Sequence, residues 1–236
     1  MPSLETILYE KKESIAFVTL NRPQVLNIYN IRMRDELYDV LSAIRDDPEV
    51  RVAIFKGAGE KAFCAGADLS EFLTAPPPVA ARRARWGRDV WGLFLSLPQP
   101  LIAALRGYVL GSGIEIALCC DIRIASETAC FGLPEAGLGI LPAAGGTQTL
   151  PRTIDSGRSL EMLFTGRWID SKEALQMGLV NRIVENDRIL EAAKGIAHKI
   201  ASHDPHAVRR AKQAVLRGLD LSLNEGIILE KRLATL

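Results

Sequence analysis

The sequence has few of the residues that metal and thiol chemistry require. Its 236 residues include three histidines and four cysteines. The histidines all lie between His198 and His206, without metal-ligand partners nearby, and no two cysteines form a CxxC pair. Free cysteines are commonly small, buried, apolar residues. The sequence therefore gives little support for a zinc site or a Cys/His nucleophile, and we expect no metal.

Long apolar runs and an excess of charge are also missing. Pro100 and Arg106 interrupt the longest apolar stretches, so none reaches the length of a membrane span. The formal net charge is +1, so no global field attracts nucleic acid or an anionic membrane. The first residues, MPSLETILYEKKES, lack the basic head and apolar stretch of a signal peptide. We expect a cytoplasmic protein without nucleic-acid or membrane partners.

The residues that are present are typical of a globular α/β protein. Hydrophobic residues make up 48% and charged residues 24%, and this length can bury one substantial core. The pattern predicts strands at 6–9 and 15–20, a helix at 31–44 and a buried strand at 50–55. Strand, helix and strand in this order indicate a right-handed crossover.

The same patterns continue to the end of the chain. Further predicted elements are strands at 101–105, 121–125 and 179–184 and helices at 79–97, 114–120, 156–165 and 171–178. Beyond Glu185 the pattern is helical and is split by Pro205.

A dinucleotide-binding fingerprint offers a competing interpretation. Residues 57–62, GAGEKA, formally match it, with alanine in the third place. The fingerprint requires a helix directly afterwards, and residues 63–66 interrupt that helix. We therefore favour a tight turn with exposed backbone amides at 64–69, CAGADL.

Two glutamates stand out between Gly107 and Glu135. Glu115 lies between two isoleucines after the turn GSG, and Glu135 follows Pro134. A carboxyl in apolar surroundings is costly to bury unless it is paired, hydrogen-bonded or neutral. Two such carboxyls at one pocket would supply a general base and a general acid. The alternative is that both merely complement the dipole at a helix start.

Four ordered motifs resemble the enoyl-CoA hydratase/isomerase (crotonase) family. They are LNRPQVLN from Leu20, KAFCAGADL from Lys61, GYVLGSGIEIALCCDIRIAS from Gly107 and FGLPEAGLGILPAAGGTQTLPR from Phe131. The resemblance implies an α/β fold, a crotonase-like ββα spiral, over residues 1–184. Residues 185–236 would form a helical C-terminal oligomerisation region, assembling a homotrimer or a dimer of trimers.

The resemblance also implies a site for an acyl-CoA thioester. Glu115 and Glu135 would be catalytic, and the backbone amides of Ala67 and Ser112 would form an oxyanion hole. Residues implied in substrate or coenzyme A binding are Gln24, Val25, Ala65, Asp68, Leu69, Gly111 and Ala143. Asp68 is also a natural cap or turn residue. Coenzyme A would arrive as part of the substrate, and no cofactor is implied.

Residues 79–97 carry arginines and aromatic residues that allow two interpretations each. Arg82, Arg83, Arg85 and Arg88 form either a solvated basic face or contacts to the coenzyme A phosphates. Trp86, Trp91 and Phe94 either line the acyl pocket or belong to the core.

The sequence departs from the family pattern at three points. Ser112 and Ala143 stand where the family often has glycine, and the chain stops at Leu236 where relatives usually continue. The resemblance favours reversible hydration of a 2-enoyl-CoA to a 3-hydroxyacyl-CoA. Alternatives are double-bond isomerisation, hydration of a cyclic dienoyl-CoA, or a non-catalytic oligomeric member.

Overall fold

A larger sheet of six strands organises the fold. The computed structural model describes residues 4–72 and 88–235. The strands of the larger sheet, in spatial order, are β1 (Ile7–Lys12), β2 (Ile15–Leu20), β3 (Val52–Gly57), β5 (Leu101–Leu105), β7 (Ile122–Ser126) and β10 (Arg182–Val184). Strand β1 pairs antiparallel with β2, and all later neighbours are parallel. Every residue of β2 and β5 is buried, as expected for strands covered on both faces.

A smaller sheet of short strands lies beside the larger one. In spatial order its strands are β4 (Ala62–Cys64), β6 (Tyr108–Leu110), β8 (Cys130–Gly132) and β9 (Ile169–Asp170). The first three are parallel, and β9 is antiparallel to β8. Both β4 and β6 follow closely on a strand of the larger sheet, so the chain passes from one sheet to the other and then into a helix.

Helices cover both sheets. Within the described residues they are α1 (Ile31–Asp46), α2 (Leu69–Phe72), α3 (Val90–Ser96), α4 (Ser112–Leu118), α5 (Gly146–Thr149), α6 (Ser156–Thr165), α7 (Ser171–Gln176), α8 (Ile189–Ala201), α9 (Pro205–Gly218) and α10 (Leu223–Ala234). Short 3-10 helices occupy Pro23–Val25, Pro134–Leu138, Leu150–Arg152 and Asn186–Arg188.

Helix α1 shows why these residues form these elements. Asn30 is its N-cap, and the Asn30 side chain accepts a hydrogen bond from the Met33 amide. Apolar residues at helical spacing are buried against one face of the large sheet: Met33, Leu37, Val40, Leu41 and Ile44. Helix α8 covers the other face with Ile189, Ala193 and Ala197.

The last helices are fastened to the large sheet by polar contacts. The Lys212 ammonium lies 2.8 Å from Asp121 Oδ2, and the same carboxylate oxygen accepts the Leu101 amide at 2.7 Å. Arg51 donates to the carbonyl of Ala201 at 2.8 Å. Helix α8 lies after the predicted boundary at residue 184 yet packs on the sheet. The division into residues 1–184 and 185–236 stays a prediction.

Most predicted elements of the large sheet and its helices are confirmed within two or three residues. The competing interpretation of residues 57–62 as a dinucleotide-binding site is wrong, because residues 62–64 form strand β4 where such a site requires a helix. The predicted helix at 79–97 is described only as α3, and residues 73–87 lie outside the described part. No helix among the described residues is long and apolar enough to cross a membrane.

Candidate active site

Three chain segments meet at Gly111, the residue between strand β6 and helix α4. Gly111 has a φ of 49° and a ψ of −122°, a conformation that glycine adopts at little cost. A Cβ placed on Gly111 would lie 2.9 Å from Oε1 of Glu135 and 3.3 Å from Cα of Gly66. The absence of a side chain at this turn therefore lets the GSG segment, Glu135 and the turn before Ala67 approach one another.

Glu115 is held by two backbone amides. It lies in the first turn of α4, and only 2% of its surface is exposed. Its Oε1 atom accepts hydrogen bonds from the amides of Ala144 and Gly146, each at 2.9 Å. A Cβ on Gly146 would lie 3.0 Å from the same oxygen, so the close approach favours glycine. Amide donors stabilise the ionised form of a carboxylate, so this environment suits a general base.

Glu135 has the opposite environment. It lies in the 3-10 helix Pro134–Leu138 and is partly buried. Its Oε2 atom is enclosed and has no hydrogen-bond partner in the described part of the chain. Burial raises the pKa of Glu135 above its ordinary value, and a hydrogen bond with its own backbone offsets only part of this rise. A carboxyl in such surroundings is suited to hold and donate a proton.

The amide of Ala67 faces away from the segment that pairs with it. Tyr29 donates to the carbonyl of Gly66 at 2.8 Å, and Asp68 donates to the carbonyl of Tyr29 at 2.8 Å. Successive residues of an extended chain point their amides to opposite sides, so the Ala67 N–H points away from Tyr29. Across residues 4–72 and 88–235, the structure gives this amide no acceptor.

The amide of Ser112 is also unused. Ser112 begins helix α4, where the first amides lack an acceptor within the helix. Ile114 and Glu115 both donate to the Gly111 carbonyl, whereas Ser112 has no acceptor among the described residues. Two unused amides lie on segments that meet at Gly111, where Glu135 also arrives, and Glu115 lies one turn along α4. Such amides can stabilise an oxygen that becomes negatively charged during a reaction.

Comparison with known proteins identifies the family. The family described as enoyl-CoA hydratase/isomerase matches residues 10–235. The chain belongs to this family. It is 43% identical over 227 residues to the short-chain-enoyl-CoA hydratase of Clostridium acetobutylicum, covering 96% of this chain and 87% of that protein. It is 41% identical over 224 residues to the (E)-benzylidenesuccinyl-CoA hydratase of Thauera aromatica, covering 94% and 86%.

A solved structure shows the same fold. The crystal structure of an enoyl-CoA hydratase from Bacillus anthracis superposes with a TM-score of 0.93 at 42% identity, covering 98% of this chain and 90% of that one. The predicted crotonase-like α/β fold is therefore confirmed.

The other residues implied by the family surround these segments. Gln24 and Val25 are exposed on the 3-10 helix Pro23–Val25, and Leu69 is 39% exposed at the start of α2. Ala65 donates its amide to the Leu26 carbonyl at 3.1 Å, and Ala143 is exposed beside the amides that hold Glu115.

The carboxylate of Asp68 is engaged within the chain. Its Oδ2 atom accepts from Arg22 at 3.2 Å, and its Oδ1 atom accepts from the Ser70 hydroxyl at 2.7 Å. These contacts agree with the alternative role of a turn residue. The proposed contacts of Asp68 and of the six other implied residues with coenzyme A or substrate stay predictions.

Phe94 belongs to the core, whereas several other described residues of 79–97 are partly or fully exposed. Arg88 lies 2.8 Å from Asp39 and above the Tyr38 ring, so it has partners within the chain. Phe94 is fully buried, and Trp91 stacks between Tyr29 and Phe94. Arg82, Arg83, Arg85 and Trp86 lie outside the described residues. No group of three or more His, Cys, Asp and Glu side chains at residues 4–72 and 88–235 is arranged to hold a metal ion.

Sequence reasoning missed the backbone donors to Glu115. The sequence GGT at 145–147 predicts the start of a helix, and α5 confirms it, but nothing in the sequence assigns the Ala144 and Gly146 amides to a carboxylate. A glycine pair followed by a short helix was the one available signal, because close approach of a backbone to a ligand group favours glycine.

Proposed function

We propose that the protein catalyses reversible syn addition of water to a 2-enoyl-CoA, giving a 3-hydroxyacyl-CoA. The observation that carries the proposal is the pair of glutamates in opposite environments. Glu115 receives two amides on one oxygen, whereas Glu135 has an enclosed oxygen without a partner in the described chain. The Ala67 and Ser112 amides, which have no acceptor among the described residues, belong to segments that meet at Gly111 near Glu135. A water-addition enzyme needs a base, an acid and a stabilised oxyanion.

The proposed reaction uses only these groups and water. The thioester oxygen accepts from the amides of Ala67 and Ser112, which withdraw electrons from the conjugated double bond. Glu115 takes a proton from water as the oxygen of water bonds to the β-carbon. Glu135 gives its proton to the α-carbon of the enolate-like intermediate. Passage of a proton from Glu115 to Glu135 restores the starting state. We propose no metal and no redox cofactor.

The acyl group is proposed from the relatives. Their names include a short-chain-enoyl-CoA hydratase and an (E)-benzylidenesuccinyl-CoA hydratase, so the family accommodates both small and aromatic acyl groups at about 40% identity. We propose a short linear enoyl-CoA such as crotonyl-CoA as the first substrate to test. A 3-enoyl-CoA tested in parallel distinguishes hydration from double-bond isomerisation. A cyclic dienoyl-CoA tests whether the protein hydrates cyclic substrates instead.

Substitution of the two glutamates tests the proposal. Glu115→Gln and Glu135→Gln should each lower kcat for crotonyl-CoA hydration by about a hundredfold or more, because each removes one proton-transfer group. Loss of absorbance of the conjugated thioester measures the rate. Glu191→Gln, on a side chain that is 73% exposed on helix α8, should retain full activity. Near-normal turnover in either active-site variant would contradict the assignment.

We also propose assembly as a homotrimer or a dimer of trimers. Large apolar side chains are exposed on the last two helices and the turn between them, including Leu219 at 73% and Leu223 at 80%, and a partner subunit would remove them from water. No nucleic-acid or membrane partner is proposed. The cytoplasmic location stays a prediction, which cell fractionation would test.

A further inference from the structure

Arg22 and Asp68 form an ion pair directly beside the segment that carries the Ala67 amide. The distance from Arg22 Nη1 to Asp68 Oδ2 is 3.2 Å. Their side chains are only 18% and 15% exposed. The same Nη1 atom donates to the Ile28 carbonyl at 2.8 Å. Arg22 therefore joins the loop that follows strand β2 to the residue next to Ala67.

A set of backbone hydrogen bonds makes the two segments one unit. Tyr29 donates to Gly66 and accepts from Asp68, on either side of Ala67. Ala65 donates to Leu26 in the same loop. The direction of the Ala67 amide therefore depends on where the loop at 22–29 lies. Arg22 closes this loop, since its side chain donates to the Ile28 carbonyl and its own amide donates to Asn27 Oδ1 at 2.9 Å.

The contacts of Asp68 argue against a direct role in substrate binding. Each of its oxygens already accepts a hydrogen bond, one from Arg22 and one from Ser70. These donors hold the pKa of Asp68 below its ordinary value, the Ser70 hydroxyl most strongly. A charged carboxylate whose two oxygens are each held by a donor of the chain is a fixed anchor.

We propose that Arg22 and Asp68 are positioning residues that fix the direction of the Ala67 amide toward the thioester oxygen. The inference rests on the proposed function, because it assigns a role within that oxyanion hole. A donor displaced by about 1 Å can lose a hundredfold in rate. Since the backbone contacts to Tyr29 remain in the variants, we expect a loss in kcat of roughly tenfold. KM should change little, because the oxygen develops charge mainly in the transition state.

The test compares Arg22→Met, Arg22→Lys and Asp68→Asn with the wild type in the full-length protein. The matched control is Lys212→Met, which breaks an equally enclosed ion pair with Asp121 whose side chains are 10% and 23% exposed. Kinetics are measured with crotonyl-CoA. A second readout is the carbonyl stretching frequency of bound butyryl-CoA labelled with ¹³C at the thioester, which reports polarisation of the carbonyl without turnover.

The proposal predicts a lower kcat and a carbonyl band closer to that of free butyryl-CoA in Arg22→Met and Asp68→Asn. Arg22→Lys should recover part of the kcat and part of the shift of the carbonyl band. Lys212→Met should change only thermal stability. Folded Arg22→Met and Asp68→Asn proteins with wild-type kcat and band position would overturn the inference, as would a fall in kcat with an unmoved band. A wild-type band identical to that of free butyryl-CoA would overturn the oxyanion hole itself, which separates failure of the proposed function from failure of this inference.

Discussion

The difference between the two glutamates arises from their neighbours. Glu115 and Glu135 have the same side chain. Two backbone amides donate to Glu115, whereas the enclosed Oε2 atom of Glu135 has no donor among the residues that the structure describes. Burial favours the neutral form of both carboxyls, but the two amide donors favour the ionised form of Glu115 alone. The proposed division of labour between base and acid therefore depends on residues that take no part in the reaction.

Gly146 is the residue at which this division can be tested. A Cβ there would lie 3.0 Å from Glu115 Oε1 and 3.1 Å from the Cβ of Pro142, so either the carboxylate or the loop must shift. Gly146→Ala should lower kcat for crotonyl-CoA roughly tenfold, because a displaced base loses its alignment with water. Steady-state kinetics provide the measurement.

The matched control for Gly146→Ala is Gly195→Ala in helix α8. A Cβ on Gly195 meets nothing within 4 Å, and alanine is favoured over glycine inside a helix by about 1 kcal/mol. This variant should gain thermal stability and keep its activity. Equal kcat values for the two variants would show that the Gly146 amide does not position Glu115.

The two glutamates could be predicted from the sequence, whereas their supports could not. The sequence singles out Glu115 and Glu135 as carboxyls among small and apolar residues at turns, and the family resemblance favours a catalytic role over a helix-start role. The Ala144 and Gly146 amides belong to the backbone, which every residue carries, so no residue type marks them. The contact joins positions 29 and 31 residues apart, and its geometry arises only in the folded chain.

At the scale of elements, the strands of the large sheet were predicted, including the short β10, whereas the first three strands of the small sheet were missed. The strands of the large sheet run for up to six residues and include the fully buried run of β2. In the small sheet, β4, β6 and β8 have three residues each. A three-residue run is too short to show alternation, and its partners are distant in sequence. The small sheet nevertheless supplies the segments before Gly66 and Gly111, so it positions the candidate site.

The junction between strand β1 and helix α1 allows a prediction about pH. Glu36 on α1 accepts the amides of Thr6 at 2.8 Å and Ile7 at 3.0 Å, and the Thr6 hydroxyl at 2.7 Å. Burial alone would raise the pKa of Glu36, but these hydrogen bonds together bring it below the ordinary 4.5. The charged form therefore stabilises the fold above pH 4.5, and this contribution is lost as the pH falls through the lower folded value.

Glu36→Gln should weaken this pH dependence. The uncharged side chain cannot lose a charge on acidification, so the free energy of unfolding should fall less between pH 5 and pH 3 than in the wild type. Urea unfolding at each pH measures the effect. Glu191→Gln, on a mostly exposed side chain, should keep the wild-type slope. Parallel curves for wild type and Glu36→Gln would contradict the role assigned to this carboxylate.

At the scale of the whole molecule, the last two helices are attached to the large sheet by polar contacts and also expose large apolar side chains. The Lys212–Asp121 pair and a hydrogen bond from Arg209 to the Val50 carbonyl at 3.0 Å attach α9 to the large sheet. Beyond this attachment, large side chains face outward, among them Val215 at 62%, Leu219 at 73% and Leu223 at 80% exposure. A contiguous exposed apolar patch is typical of a protein–protein interface.

The assembly can be tested with Leu219→Glu combined with Leu223→Glu. The two charges would have to be desolvated in an apolar contact between subunits. The variant should therefore sediment with the mass of one chain, whereas the wild type should sediment with the mass of three or six chains. Leu8→Glu, which alters a leucine that is 50% exposed on strand β1, should leave the assembly intact. Analytical ultracentrifugation with circular dichroism separates dissociation from unfolding, because a dissociated chain keeps the wild-type helical signal. A folded double variant that retains the wild-type mass would place the subunit contact elsewhere on the surface, and Leu219 and Leu223 would then have no part in it.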